Sequence, residues 1–567
     1  MKRTVEDRRK ALLERYPEWR PMCLHQLLDE AAGAFPASDY VVTDQRSWSY
    51  AEIAARSKAI AGGLLKIGVS PGDHVAVIMA NYVEFVALKY AISRLGAVCV
   101  PINFLNRGDE IGYVLTQSDA AYLITMDRFR GLDYLAALND LAPGWARQGG
   151  GDAFAELRQV VVFPASGDPL PDQVMLFAAL EDEQAPFDGI DSPDAHAVSD
   201  IIYTSGTTGT PKGVLMTHEM VLRAAFGSVY ARAFDGGWRV TFSLPMYHVY
   251  GYIEGMLTVP FVGGAIIPQR AYDPEATIAA IADHEVDDVL LVPTMTVPIL
   301  DALEQKPRDL PSLRAVISSG QRSPAGIWDR IDALLGPDEV TTGYGMSEMT
   351  ATMCMTRPDD PAEKLSTNGR MRDAGPAGDP AAQNRLAEIF IVDPATDQKL
   401  PAGQQGEIRA RGHCVTAGYY NKPEETEAAF DKNGLFRSGD LGWFDEDGYL
   451  HLSGRLKETY RCGGEQVMPT EIEDLLVRHP AVLQAHVVPV PDTRMGEAGA
   501  AFVVLRDAPK VTPDALMALC AENLARFKVP KYVLPIALED LPVTPSGRAR
   551  KFLLSERAVQ ELGLADQ

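Results

Sequence analysis

What most limits the architectures open to this chain is the run Tyr203-Thr-Ser-Gly-Thr-Thr-Gly-Thr-Pro-Lys-Gly-Val214. It follows Ser199-Asp-Ile-Ile202, whose apolar end suits a buried strand. Glycines let backbone N–H groups come close to a phosphate, and small hydroxyls donate to its oxygens. Lys212 adds a point charge. The stretch therefore reads as a candidate triphosphate cradle, with Thr204, Ser205, Gly206, Thr207, Thr208, Gly209 and Lys212 as its contacts. It is not a Walker-type P-loop, because the G-x-x-x-x-G-K-[ST] spacing is absent. On these residues alone, a flexible polar turn is the alternative.

The flanking chain supplies a scaffold. Val75–Ile78 is a short continuous apolar run, as expected of a strand buried on both faces. Helix-like 83–95 follows, then the apolar run 96–100. The same alternation recurs at 121–124, 159–163, 289–292 and 315–317. This β-α-β rhythm implies an α/β fold of parallel sheet with right-handed crossovers. Residues 5–33 read as polar helix with apolar residues at helical spacing, 51–67 as a helical stretch with few breakers, and Gly149-Gly-Gly-Asp152 as a surface loop.

Composition removes several classes. A length of 567 residues predicts more than one domain. Hydrophobic content of 46% and charged content of 23% fit an ordinary soluble protein. The net charge of −24 argues against non-specific binding of nucleic acid or of an anionic membrane surface. Any anionic ligand must then be held by a local positive site. The cysteines, Cys23, Cys99, Cys354, Cys414, Cys462 and Cys520, are scattered, so reduced thiols and a cytoplasmic setting are expected. The N-terminus lacks an apolar signal region, and the longest apolar candidate, 255–267, is too short to span a bilayer.

Further segments carry candidate chemistry. Pro245-Met-Tyr-His-Val-Tyr-Gly251 offers His248 among aromatic residues, and no acidic residue lies between Pro245 and Tyr252. Tyr247, His248, Tyr250, Gly251 and Tyr252 suggest an apolar, aromatic-lined pocket. Ser318-Ser-Gly-Gln-Arg322 follows a strand. Thr342-Gly-Tyr-Gly-Met-Ser-Glu348 ends on one carboxylate, which is enough where phosphate oxygens complete a Mg²⁺ shell. Arg437-Ser-Gly-Asp-Leu-Gly442 places Asp440 at an expected turn, where it can accept from two hydroxyls or close an Asx-turn. Gly454-Arg-Leu-Lys-Glu458 follows. Beyond it, two strands (485–490 and 500–505) and a helix (513–526) suggest a small α+β domain of about a hundred residues.

In this order, these segments resemble the landmarks of the adenylate-forming (ANL) superfamily, most closely its acyl-CoA synthetase branch of fatty-acid and aryl acid–CoA ligases. The resemblance implies a large N-terminal domain of parallel-rich sheets with flanking helices and a β-barrel-like subdomain, residues 1–456. It implies a mobile C-terminal domain, 457–567, hinged at Lys457. It further implies that Gly320 and Gln321 line the adenine and acyl pocket, and that Gly343, Tyr344, Gly345 and Ser347 serve adenine and phosphate. Glu348 and Thr207 would serve Mg²⁺, Asp440 and Arg455 the ribose, and Gly463 and Gly464 a turn beyond the hinge. His248 would lie near the substrate carboxylate. The acidic residue that pairs with a substrate ammonium in the amino-acid-activating branch is missing, which disfavours an α-amino acid.

The implied reaction joins a carboxylic acid to ATP, giving acyl-adenylate and pyrophosphate, and passes the acyl group to coenzyme A with release of AMP. Fatty, aromatic and alicyclic acids stay open, as does a homodimer. One departure stands out. Relatives end with T-x-x-G-K, whereas Thr544-Pro-Ser-Gly547 is followed here by Arg548. Arg keeps the charge but not the shape of Lys. Arg548 is the expected cation for adenylation, with Lys551 in reserve. The alternatives are an adenylating enzyme that serves an amine or a carrier protein, and a binding relic impaired at Arg548.

Overall fold

The computed structural model describes residues 3–181, 185–204, 210–320, 323–324, 326–543 and 549–564. The apolar runs become two seven-stranded sheets. In one, the order is Lys212–Thr217, Val198–Thr204, Val98–Pro101, His74–Ile78, Tyr122–Met126, Gln159–Phe163, Met175–Leu176. In the other it is Glu339–Thr341, Ala315–Ser318, Asp288–Leu291, Arg239–Phe242, Ala265–Pro268, Asp39–Val42, Ser47–Ser49. Neighbouring strands are parallel except for one antiparallel edge pair in each sheet. Helices such as Tyr50–Lys66 and Val83–Arg94 cross between strands and bury their apolar residues in one continuous core. The β-α-β expectation therefore holds.

Two local expectations do not. Residues 5–33 form two helices, Val5–Arg15 and Leu24–Ala34, with Pro17 and Pro21 in the break between them. The first is capped by Thr4, whose side chain accepts from the Asp7 amide. The glycine loop is not wholly at the surface. Gly149 and Gly150 are buried, and a Cβ on either would lie within 2.2 Å of a backbone oxygen. Glycine is needed there for close approach.

Antiparallel sheet follows. Gly343–Met346, Ala351–Met355 and Arg370–Met371 pair in sequence, as do Ala387–Val392, Gly406–Gly412, Phe436–Phe444 and Leu450–Arg455. After the turn Leu456–Glu458 the chain enters a separate five-stranded sheet. Its two apolar clusters draw only on residues 460–564. No helix among the described residues is long and apolar enough to cross a membrane.

Candidate active site

The strand Val198–Thr204 lies next to the edge of its sheet, between Val98–Pro101 and the antiparallel edge strand Lys212–Thr217. Thr204 pairs with Lys212, so the two ends of the run singled out in the sequence lie side by side. Ser205, Gly206, Thr207, Thr208 and Gly209 lie outside the described residues. Within the strand, buried Asp200 pairs with buried Lys89 and accepts from Ser199 Oγ at 2.8 Å. A buried charge must be matched in this way, because burial unpaired is costly.

Lys212 Nζ lies 4.4 Å from the centre of the Tyr419 ring, and Tyr419 Oη donates to Glu348 Oε1 at 3.0 Å. Both charged groups are driven towards neutrality. Burial raises the Glu348 pKa against the counter-effect of Tyr419 and Lys212, and burial lowers that of Lys212. Burial also raises the Tyr419 phenol well above its ordinary value, so it stays protonated as a donor. The turn carrying Glu348 is strapped from outside. Thr416 N donates to Glu348 O at 2.8 Å, and Thr350 Oγ1 donates to Cys414 O at 2.7 Å. Thr350 needs that strap, since it has φ of 53°, unusual for a β-branched residue.

Tyr344, Asp440 and Arg455 form a second group. Tyr344 Oη donates to Asp440 Oδ2 at 2.8 Å, and Arg455 Nε pairs with Asp440 Oδ1 at 2.8 Å. Asp440 lies inside the strand Phe436–Phe444, opposite Arg455, and not at the expected turn. Gly439 at φ 71° supplies a local kink without ending the strand. Gly343 and Gly345 sit where a Cβ would come within 2.4 and 1.8 Å of backbone oxygens of the paired strand. Ser347 opens the turn Ser347–Met349. Ser319 Oγ donates to Gly343 O at 2.7 Å, joining this hairpin to Gly320, whose φ is 86°. Gln321 is outside the described residues.

The half-buried His248 accepts from Tyr250 N through Nδ1 at 3.3 Å, so a neutral ring carries its proton on Nε2. Burial pulls its pKa down to about 4, which keeps it neutral at pH 7. Tyr250 Oη donates to Leu291 O at 3.1 Å, with its ring by Gly320. Tyr252 is a correction: its hydroxyl meets Asp200 at 3.4 Å and Lys89 lies 4.7 Å over its ring. It belongs to the core beneath the loop strand. Gly251 serves packing, since a Cβ there would be 2.5 Å from Leu244 O and Pro245 O.

In the C-terminal part, exposed Lys457 is near enough for its charge to depress Lys212. Gly463 and Gly464, at φ 62° and 89°, make a tight hairpin turn between Tyr460–Cys462 and Glu465–Val467. Lys551 Nζ pairs with Glu473 at 2.7 Å and Glu458 at 2.9 Å. Burial lowers the Lys551 pKa, the two glutamates outweigh it, and the net shift is upward. Arg548 lies outside the described residues; Val543 and Ala549 on either side of its loop are bridged.

The structure thus brings Lys212, Tyr344, Glu348, Asp440 and Arg455 together from separate motifs. Sequence reasoning missed Tyr419 and Asn81. Asn81 donates to Leu244 O and Gln269 O at 3.0 Å and accepts from Met246 N at 2.8 Å, holding the His248 segment in place. A lone buried Asn carries no motif. Tyr419 could have been sought in the glycine–aromatic run Gly418-Tyr-Tyr-Asn421.

Comparison with known proteins supplies a frame for this geometry. Residues 28–420 match the family model described as AMP-binding enzyme, and residues 471–548 match that of the AMP-binding enzyme C-terminal domain. A methyl-dioxo-octahydro-indenyl-propanoyl:CoA ligase of Rhodococcus jostii (strain RHA1) is 32% identical over 549 residues, covering 95% of this chain and 99% of that protein. The 4-coumarate–CoA ligase 5 of Oryza sativa subsp. japonica is 33% identical over 509 residues, covering 88% and 87%. Among solved structures, o-succinylbenzoate CoA synthetase from Bacillus subtilis, in complex with its acyl-adenylate intermediate, superposes with a TM-score of 0.76. It is 25% identical and covers 93% of this chain and 97% of that one.

Proposed function

The chain belongs to the AMP-binding enzyme family and is an ATP-dependent acid–CoA ligase, and we propose that it activates an apolar carboxylic acid by the two steps set out below. The observation that carries this reading is the convergence of Lys212, Glu348 and Tyr419 beside Asp440, Tyr344 and Arg455. One group offers a cation and a carboxylate for a polyphosphate. The other offers a carboxylate with free acceptor sites for a diol.

In the first step, a carboxylate oxygen of the acid attacks the α-phosphorus of ATP. The bond to the β-phosphate oxygen breaks, and pyrophosphate leaves with its electron pair. Thr204, Ser205, Thr207, Thr208 and Lys212 contact the phosphates, and Asp440 and Arg455 hold the ribose. Arg548 serves the carboxylate side. In the second step the coenzyme A thiol, after losing its proton, attacks the acyl carbon, and AMP departs. Residues 1–456 and 457–567 act as separate bodies that turn about Lys457 between the steps; the separate apolar clusters of 460–564 support that division.

Glu348 fits a Mg²⁺ site: its buried carboxylate has a neutral phenol as side-chain donor and a raised pKa, so a bound cation would relieve its burial. Thr207 would share that ion. Mg²⁺ held there would neutralise charge on the phosphate oxygens.

The acid is fatty, aromatic or alicyclic. Tyr247 packs edge-on against Phe104 at 5.1 Å, and Tyr250 stands by Gly320. Glu254, in the same π-helical segment as Tyr250, is tied to Arg372 at 3.0 Å and is not available to a substrate ammonium. All six cysteines are buried and unpaired, in keeping with a reducing cytoplasmic setting. ATP–pyrophosphate exchange across a panel of acids tests the reading, followed by addition of CoA, an amine or a carrier protein. Exchange with apolar acids and consumption of CoA are expected; exchange driven by α-amino acids, or consumption of another acceptor alone, would refute it.

A further inference from the structure

We propose that Gln117, with Tyr113, is a positioning residue for ATP: one face of the helix Gly108–Gln117 grips the chain on both sides of the phosphate loop. The proposal rests on the reading that residues 204–212 hold the phosphates. Tyr203 precedes residues 205–209 and Pro211 follows them. Tyr113 Oη donates to Pro211 O at 2.8 Å, and Tyr203 Oη donates to Gln117 Oε1. Positions 113 and 117 are four apart, so they share one helix face.

Gln117 does more than tie down the loop. Its Nε2 donates to Tyr420 O at 2.8 Å. A carbonyl can only accept, so Nε2 must face Tyr420 and Oε1 is left for the Tyr203 hydroxyl. One amide therefore links the chain before the loop to the residue after Tyr419. Tyr419 in turn touches both Glu348 and Lys212. Tyr420 is held further by Asp119, which accepts from its hydroxyl at 2.9 Å, and by the His74 ring, edge-on at 4.9 Å. Asn421 also donates to Asp119, at 2.8 Å. The phosphate loop and the Glu348 side are thus set in one register through Gln117.

The helix is anchored by buried Ile111, Val114 and Leu115. Gln117→Leu keeps the size of the side chain and removes both bonds. The expected result is a rise in the KM for ATP of about tenfold, the size of one well-made polar interaction, with KM for the acid and CoA within about twofold. Tyr113→Phe should give a smaller rise of the same kind. Tyr203→Phe removes a single oxygen and should reproduce part of the Gln117→Leu effect even if that variant folds poorly. The double variant Gln117→Leu/Tyr203→Phe should be no worse than Gln117→Leu alone, because Gln117→Leu already removes the contact that Tyr203→Phe breaks.

An unchanged ATP KM in Gln117→Leu and Tyr203→Phe overturns the proposal. So does a fall in thermal stability with unmoved KM values, or full additivity in the double variant. A Thr207→Val/Thr208→Val control separates the two levels. If it keeps normal ATP use, the loop reading fails and the brace with it. If it loses ATP use while Gln117→Leu does not, only the brace is refuted.

Discussion

Tyr419→Phe is the sharpest test of how the site manages its buried carboxylate. The change removes one oxygen and leaves the ring beneath Lys212, whose Nζ lies 4.4 Å from its centre. What is lost is the hydrogen bond from Tyr419 Oη to Glu348 Oε1 at 3.0 Å. Hydrogen bonds to charged groups contribute about 1.5–3 kcal/mol. Glu348 keeps its burial, the dominant cause of its raised pKa, and loses a donor that opposes it. At about 1.4 kcal/mol per pKa unit, its pKa should climb by about one further unit or more. On the proposed role of Glu348 the ionised carboxylate is the active form, so activity should be lost as pH falls through that pKa. The acid limb of kcat/KM for pyrophosphate exchange should therefore move to higher pH by about one unit, with roughly tenfold lower exchange on that limb. Raising Mg²⁺ should push the limb back down, since the cation competes with the proton. An acid limb in the same place as the parent's, at equal Mg²⁺, would show that Tyr419 does not support Glu348 in this way.

Other variants probe the rest of the site. Glu348→Gln should lose most Mg²⁺-dependent exchange, and an unaltered Mg²⁺ titration would remove Glu348 from the metal site. Asp440→Asn keeps an acceptor but loses the ion pair with Arg455, so the KM for ATP should rise by about tenfold in steady-state kinetics. Arg548→Ala should slow adenylation by on the order of a hundredfold or more, and Arg548→Lys should keep it; loss in Lys551→Ala alone would transfer the role to Lys551. Lys457→Pro fixes φ and should slow thioester formation more than adenylation, with equal loss in both half-reactions as the contrary result.

How far the sequence disclosed all this depended on the range of the forces involved. Buried parallel strands announce themselves as continuous apolar runs, because both faces must be apolar. Hence 75–78 and 159–163 were legible almost to the residue. Tyr419 was not, because its role comes from a long-range bridge of Val214 to Tyr419 that brings its phenol to Glu348. Tyr252 misled for a local reason. It lies in a π-helical turn, Tyr250–Met256, whose wider spacing sets side chains off the ordinary helical phase. Asp440 misled because Ser-Gly-Asp reads as a turn, whereas the strand continues through the kink at Gly439.

The distribution of charge also bears on Arg548. In adenylation a carboxylate must approach a phosphate, and two such anions at about 4 Å repel by roughly 4 kcal/mol at an effective dielectric near 20. A chain of net charge −24 gives no general help. Arg455 is already matched to Asp440, and Lys551 to Glu458 and Glu473. Releasing Lys551 would leave two glutamates, half-buried beside the hinge turn, without that cation. Lys212 lies opposite Thr204, at the run proposed to hold the phosphates. Each of these cations is already assigned by its geometry, and the carboxylate side is served by none of them. That supports the proposal that Arg548, which lies in sequence between the bridged Val543 and Ala549, carries the charge on the carboxylate side.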